Sequence, residues 1–334
     1  MLNLGVIGTN WITDQFIAAA LSTKKYRLSS VYSRNFTTAK QFAAKYQGKI
    51  NLFTDLAVFF QDKKLDVVYI ASPNSLHFAQ AKQAILAGKS VIVEKPAFST
   101  REEMDEIIKL ANKQRVFFFE AARNLHEQSF AEIKKFLESN GEIQGASFHY
   151  AKYSSRMDKV LAGEEPNIFS LKFSGGALYD LGVYQVYAAL GWFGVPSFVH
   201  YFATLASTGI DSMGTGVLRY ENFDVTIQPG KNIKSFAPSE IFLAKGTLVL
   251  DAISAINSAD YYEREKDVKS LKINALANPM VEEAEAFAQV LLHPKSEVWG
   301  AKYEEWVELA RNVNAVLVAM REDAGIVFAA DGKR

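Results

Sequence analysis

Cysteine is absent from this 334-residue chain. Its absence excludes disulfides, thiolate zinc sites and cysteine nucleophiles, and it suits a reducing compartment, so a cytoplasmic protein is expected. An excess of either charge is also missing: 37 Lys and Arg stand against 37 Asp and Glu, with no basic run. Nucleic acid and anionic membrane surfaces are therefore not expected partners. The opening Leu2-Asn3-Leu4-Gly5 has no basic segment followed by an apolar one, and no stretch approaches the ~20 apolar residues of a membrane span. The 5 histidines are scattered, and neither H-E-x-x-H nor G-x-S-x-G occurs. Metal-dependent and serine hydrolase chemistry has no carrier, and no metal is expected. No repeat of solenoid period appears.

What is present is a hydrophobic fraction of 49%, spread along the chain and sufficient for sizeable cores; at ~100–200 residues per domain the length suggests two domains. Residues 2–7 read as a strand, and Ile12, Phe16, Ile17, Ala20 and Leu21 then recur at helical spacing. The alternation repeats, with strands at 28–32, 50–53, 67–70, 90–93 and 116–119 and helices at 37–46, 56–60, 76–87 and 101–112. Six strands alternating with helices predict a doubly wound parallel sheet, because right-handed crossovers place helices on both faces. Past residue 122 the pattern changes. Helices at 127–137 and 175–193 accompany strand-like runs at 143–150, 198–205, 214–220, 223–228, 240–244, 247–250, 260–264 and 268–273, and helices at 281–292 and 303–321 finish the chain. Short connections predict a largely antiparallel open sheet beside helices. The expected architecture is α/β: an N-terminal Rossmann domain over 1–122 and a C-terminal α+β domain over 123–334.

The chain is organised around Ser90-Val91-Ile92-Val93-Glu94-Lys95-Pro96-Ala97, where a β-branched run stops at an acid, a base and a proline. Such a run suits a strand buried on both faces of a parallel sheet, which puts Lys95 at the carboxyl edge where open α/β sheets bind ligands. Pro96 restricts the backbone there; the sequence leaves open whether its peptide bond is cis. At the turn after the first strand, Gly8-Thr9-Asn10-Trp11-Ile12-Thr13 lines up with G-x-G-x-x-G, the fingerprint of a dinucleotide site. Only Gly8 is retained. Asn10 tolerates left-handed backbone and is a favoured N-cap, so it can start a helix whose amides receive a pyrophosphate, although it brings a side chain close to the phosphates. After the second strand, Tyr32-Ser33-Arg34-Asn35 carries no carboxylate to grip a ribose 2'-hydroxyl. Ser33 and Arg34 suit a 2'-phosphate instead, so NADP(H) is the preferred cofactor, with NAD(H) the alternative and an ordinary solvated arginine the plain reading of Arg34.

The block Ala71-Ser72-Pro73-Asn74-Ser75-Leu76-His77, a helix to Ala87, Gly88-Lys89 and then Val91 to Pro96 resembles the Gfo/Idh/MocA family of NAD(P)-dependent oxidoreductases, and the likeness runs nearly the whole chain. The resemblance implies that Ser72, Pro73, Asn74 and His77, with Glu94 and Lys95, line the ribose and nicotinamide. His77 can equally be a helix-start histidine satisfied by backbone. Gly175-Gly176-Ala177-Leu178-Tyr179-Asp180-Leu181-Gly182-Val183-Tyr184 is similar to the family's G-G-x-x-x-D-x-G-x-H, with tyrosine in the histidine position. That substitution marks the branch resembling dimeric dihydrodiol dehydrogenase and glucose-fructose oxidoreductase, and implies Tyr184 as proton-transfer residue with Lys95 and Asp180 beside it. Asp180 and Tyr184, four residues apart, would share one face of a helix. Their plain reading is a helix cap and an aromatic core contact.

The implied activity is hydride transfer between a nicotinamide and a carbonyl or hydroxyl of a sugar, polyol or diol. A free phenol with a pKa of ~10 is a poor base at neutral pH, and a neighbouring ammonium corrects that. Arg123, Tyr153 and Phe169 are further candidates, as contacts or aromatic walls for a carbohydrate-like substrate, with ordinary packing the competing account of the two rings. The resemblance also implies a homodimer or homotetramer. The alternative function is a non-catalytic NAD(P)-binding sensor of the same fold. Retention of Lys95, Asp180 and Tyr184 speaks for the enzyme, and the eroded glycine turn mildly for the sensor.

Overall fold

In the computed structural model, which describes residues 1–332, the chain forms two units, each with its own sheet. The first begins β1 (Leu2–Ile7), α1 (Trp11–Ser22), β2 (Tyr26–Tyr32), α2 (Phe36–Ala43), β3 (Asn51–Phe53) and α3 (Leu56–Phe60). It continues β4 (Val67–Ile70), α4 (His77–Leu86), β5 (Ser90–Glu94), α5 (Arg101–Gln114) and β6 (Phe118–Ala121). The strands lie in the order β3-β2-β1-β4-β5-β6, every pairing parallel, so all six carboxyl ends share one edge. The two runs without polar interruption, β4 and the Val91–Val93 part of β5, are fully buried as their composition requires. The last strand begins two residues later than its β-branched start suggests. Arg115, in left-handed backbone at φ 56°, closes α5, and Val116 N–H still bonds to Ala111 O, so Val116 belongs to the helix terminus.

The second unit comprises α6 (Arg123–His126), α7 (Gln128–Asn140), β7 (Ile143–Ala151), α8 (Met157–Leu161), α9 (Val183–Phe193) and β8 (Phe198–Leu205). The strands β9 (Asp211–Arg219), β10 (Asp224–Gly230), β11 (Ser239–Leu243), β12 (Gly246–Leu250), β13 (Ala259–Glu263) and β14 (Lys269–Ser270) follow. Its eight-stranded sheet runs β14-β13-β12-β11-β7-β10-β9-β8 and is antiparallel except for β7 against β10. Burial alternates along β9 and β10, as expected of a sheet with one face on a core. The residues of α9 from Val183 to Leu190 are buried without exception.

The domain limits differ from expectation. The break falls between Ala121 and Ala122, and residues 280–308 return to the first unit, so 123–334 is not one continuous domain. This segment holds α10 (Val281–Leu292) and the start of α11 (Glu297–Asp323). Phe287 of α10 stacks on Phe119 of β6 with centroids 4.6 Å apart, Tyr26 Oη donates to Ala284 O at 2.9 Å, and Tyr303 Oη accepts from Phe118 N at 3.3 Å. The apolar side of α10 thus completes the first unit's core, a long-range pairing no local pattern announces. The last helix also starts earlier than residue 303, because Ser296 Oγ accepts from Trp299 N at 3.3 Å and Gly300 is carried inside the helix. No helix among the described residues is long and apolar enough to cross a membrane.

Candidate active site

The carboxyl edge of the first sheet gathers the expected cofactor residues. Gly8 sits at φ +110°, and a Cβ there would lie 2.6 Å from Ala71 O, so only glycine lets the turn after β1 pass against the end of β4. Asn10 is the N-cap of α1 with extended backbone at φ −101°, so no left-handed geometry is asked of it. Its Oδ1 accepts from Thr13 N at 3.2 Å while its Nδ2 donates to Ala71 O at 3.3 Å. Its amide group therefore ties the helix start to β4. The eroded fingerprint still delivers a tight strand-to-helix turn with the positive end of α1 at the sheet edge. Thr13, at the third glycine position, is buried against this cap, and the partly buried Ile12 packs on the first unit's core. Thr9 is half-buried and Trp11 is 71% exposed on the first turn of α1. After β2, Ser33 is half-buried, Arg34 is exposed, and Asn35 caps α2 through Thr38 N.

Lys95 stands half-buried just past β5, and its bond to Pro96 is cis. Three buried side chains brace this knuckle. Glu120 of β6 accepts from Ala97 N at 2.9 Å through Oε1. Glu94 accepts a hydrogen bond from Tyr69, whose ring stacks on Phe16 at 4.0 Å, so this carboxylate is directed into the first unit's core. His77 is fully buried: Nδ1 lies 3.3 Å from Pro96 O and 3.2 Å from Ala97 O, and Nε2 lies 2.8 Å from Ser72 O. Desolvation pushes its pKa down to about 4, and the Lys95 ammonium adds to the effect. His77 is thereby the helix-start histidine satisfied by backbone, the alternative to a cofactor contact, and Glu94 lies buried at the end of β5 with Oε1 on Tyr69. Burial turns the two side chains inward, and His77 bridges the segment after β4 to the knuckle. Ser72 Oγ donates to Gln80 Oε1 at 2.7 Å, and Pro73 and Asn74 are half-buried beside it. Glu120 went unnoticed in the sequence because an acid inside an apolar strand has no local mark of its partner.

The second motif belongs to the second unit. A Cβ on Gly175 would lie 2.3 Å from Ile168 O, and one on Gly176, at φ +105°, would lie 2.0 Å from Asp211 Oδ1. Gly175 thus lets the chain pass against the Ile168 backbone, and Gly176 lets it pass over Asp211. The buried Asp211 accepts from Leu178 N at 2.7 Å and from Tyr201 Oη at 2.8 Å, and burial raises its carboxyl above the usual range. Leu178–Gly182 is a π-helical turn that runs into α9. The expected α-helical register of Asp180 and Tyr184 is therefore interrupted: Asp180 lies in the wider turn and Tyr184 in the first turn of α9.

Asp180 is held in an ion pair by Lys231, whose side chain is 5% exposed and whose Nζ lies 5.6 Å from the Phe169 ring centroid. Sequence reading missed Lys231, because the expected strand stopped at residue 228 and left the lysine in a loop; β10 runs on to Gly230 and buries it. Tyr184 is 6% exposed, with Tyr150 edge-on at 5.8 Å and the Arg123 guanidinium 5.4 Å from its ring centroid. Phe169 is fully buried, so it backs Lys231 and presents no wall to a substrate, a correction to its expected role. Tyr153 is exposed, and its hydroxyl donates to Asp158 at 2.6 Å.

The first unit's edge suits a dinucleotide: the Gly8 turn has no room for a side chain, α1 presents its capped N-terminus, and no acid follows β2. The comparisons agree. The family described as "Oxidoreductase family, NAD-binding Rossmann fold" matches residues 2–122. Over 99% of both chains, the protein is 35% identical to an uncharacterized oxidoreductase of Escherichia coli K12, YgjR. It is 34% identical, over 99% of both chains, to a Bacillus subtilis scyllo-inositol 2-dehydrogenase (NADP(+)), IolU. Its fold is similar to that of KijD10, a 3-ketoreductase from Actinomadura kijaniata solved with NADP and TDP-benzene, at a TM-score of 0.82 and 19% identity over 96% of this chain and 97% of that one. The end-to-end likeness, the Rossmann match and the glycine-lined strand-to-helix turn together make this chain an oxidoreductase of the NAD(P)-binding Gfo/Idh/MocA family.

Proposed function

We propose that the protein is an NADP(H)-dependent oxidoreductase of polyols or sugars, with Tyr184 as the acid/base at the reacting oxygen, assisted by Lys95 and Asp180. The observation that carries the reading is the residue set on successive loops of one sheet edge: Gly8, Asn10, Arg34, Asn74 and the braced Lys95. Likeness to a relative named for scyllo-inositol and NADP(+) supports a cyclic polyol and that cofactor. Gly8 and the α1 N-terminus would hold the pyrophosphate, Ser33 and Arg34 the 2'-phosphate, and Pro73 and Asn74 the nicotinamide end. The bound dinucleotide supplies or takes up the hydride. In alcohol oxidation, Tyr184 as phenolate takes the hydroxyl proton while the C–H bond breaks; in reduction it returns that proton to the oxygen. Lys95 hydrogen-bonds the same oxygen and stabilises its developing negative charge. Asp180, its charge balanced by Lys231, accepts from a substrate hydroxyl and orients it.

The test is NADPH absorbance during incubation with inositols, aldoses and diols plus NADP+, and with the matching ketones plus NADPH. Turnover of at least one cyclic polyol with NADP+ is expected. Tight NADP binding with no turnover across the panel would overturn the catalytic reading and favour the sensor.

A further inference from the structure

Two consecutive residues at the start of the second unit grip Tyr184. The Arg123 guanidinium carbon lies 5.4 Å from the centroid of the Tyr184 ring, and its Nε donates to Ser254 O at 3.1 Å, which fixes where the guanidinium sits. Asn124, fully buried, donates through Nδ2 to Tyr184 O at 3.2 Å and to Ile253 O at 3.4 Å. The loop carrying Ile253 and Ser254 is thereby bonded to both residues. One side chain anchors the backbone of the tyrosine; the other holds a permanent positive charge against its ring.

We propose that Arg123 is a positioning residue that biases the Tyr184 hydroxyl toward its ionised form, with Asn124 holding the ring in register beneath it. The inference rests on Tyr184 being the acid/base of the proposed function and deepens that reading. A cation near an aromatic ring is attracted to its π-density, and the attraction grows when the ring becomes a phenolate and carries charge of its own. A guanidinium keeps its proton throughout the range in which enzymes work, so its effect does not fade with pH. In oxidation it readies the base; in reduction it makes the phenol a stronger proton donor.

Within the second unit the groups that pack around α9 make Arg123 the cation at the Tyr184 ring, in addition to the Lys95 ammonium of the proposed function. From β7, Tyr150 meets the Tyr184 ring edge-on. The preceding π turn contributes Asp180, whose charge is offset by Lys231 at the end of β10, so the pair is neutral as a whole. Desolvation lowers the pKa of His126, on the same short helix as Arg123, and favours its neutral form. From α7 it is the apolar Phe130 that packs on α9, stacked on Trp192 at 4.9 Å.

The experiment is the pH dependence of kcat/KM for alcohol oxidation in wild type, Arg123→Gln, Arg123→Lys and Tyr184→Phe. Glutamine keeps a donor for Ser254 O and loses the charge, whereas lysine keeps the charge. Wild type is expected to gain activity with rising pH as Tyr184 ionises. Arg123→Gln should move that limb upward by about one pH unit, a roughly tenfold loss on its acid side, with activity recovering at high pH. Arg123→Lys should restore most of the shift, and NADP+ affinity should stay within about twofold of wild type in both variants. An Arg123→Gln profile lowered evenly at every pH, or a limb that does not move, overturns the inference while a dead Tyr184→Phe leaves the proposed function standing. A Tyr184→Phe variant that keeps the wild-type rate and limb overturns the proposed function itself.

Discussion

Replacing Lys231 with methionine tests the anchor of Asp180. The lysine side chain is 5% exposed and the aspartate 25%, so the substitution takes a desolvated cation away from a largely enclosed carboxylate. Removing one partner of a buried ion pair destabilises by about 3–5 kcal/mol. Two features reduce this figure: a quarter of Asp180 is open to water, and methionine keeps most of the lysine stem's packing against Phe169. The expected loss is about 2 kcal/mol, or a Tm lower by roughly 4–8 °C for a unit of this size. The assay is urea unfolding of wild type, Lys231→Met, Asp180→Asn and the double variant. If the two charges stabilise each other, the double variant is less destabilised than the sum of the singles by about 1 kcal/mol or more. Lys231→Met within about 0.5 kcal/mol of wild type, with simple additivity in the double, would refute the argument that this pair fixes Asp180.

Other substitutions probe separate parts of the account. Arg34→Asp places a carboxylate where a 2'-phosphate is proposed to bind; the KM for NADP+ should rise at least about tenfold while that for NAD+ falls or holds, and an unchanged ratio would remove the cofactor preference. Gly176→Ala forces a Cβ to within 2.0 Å of Asp211 Oδ1 at a left-handed φ, and should destabilise by about 3 kcal/mol or more, read as a fall in the urea midpoint. His77 is charged in the unfolded chain below its ordinary pKa of 6.5 but stays neutral in the folded chain down to about 4. The unfolded state therefore binds more protons in that window, and stability falls as pH drops through it, by about 3 kcal/mol at pH 4. His77→Gln, which keeps one bridging donor and does not titrate, should flatten that part of the stability curve; a curve parallel to wild type would sink the assignment.

The local signals of this sequence were sufficient where the structure is local. The apolar runs of β4 and β5, the acid-base-proline stop after β5 and the N-cap at Asn10 depend on neighbours in the chain, and each reappears as read. The paired glycines before Leu178 were legible as a motif, although their reasons, the Ile168 backbone for Gly175 and a carboxylate 35 residues onward at Asp211 for Gly176, were not. What escaped notice lies in contacts between distant segments. Residues 280–308 looked like the end of the second domain because an amphipathic helix does not say which sheet it will cover. Lys231 falls past the expected strand end at residue 228, and only its burial after β10 makes it the partner of Asp180. His77 carried the residue type of a binding site, yet its ring is buried between Ser72 O and the Pro96 and Ala97 carbonyls, partners that only the packing of α4 against the end of β5 supplies. The π turn at Leu178–Gly182 was hidden for another reason, since helical spacing cannot distinguish one wide turn from an α-helical one.

The central claim is that Lys95 and Tyr184 serve a single proton transfer. It is tested most directly by a double-mutant cycle on kcat/KM with Lys95→Met, Tyr184→Phe and the combined variant, with NADP(H) affinity measured in parallel. Each single change should lower kcat/KM by roughly a hundredfold or more with cofactor binding nearly intact, and the double should be little slower than the slower single. Wild-type rates in either single variant, or losses that multiply in the double, would contradict it.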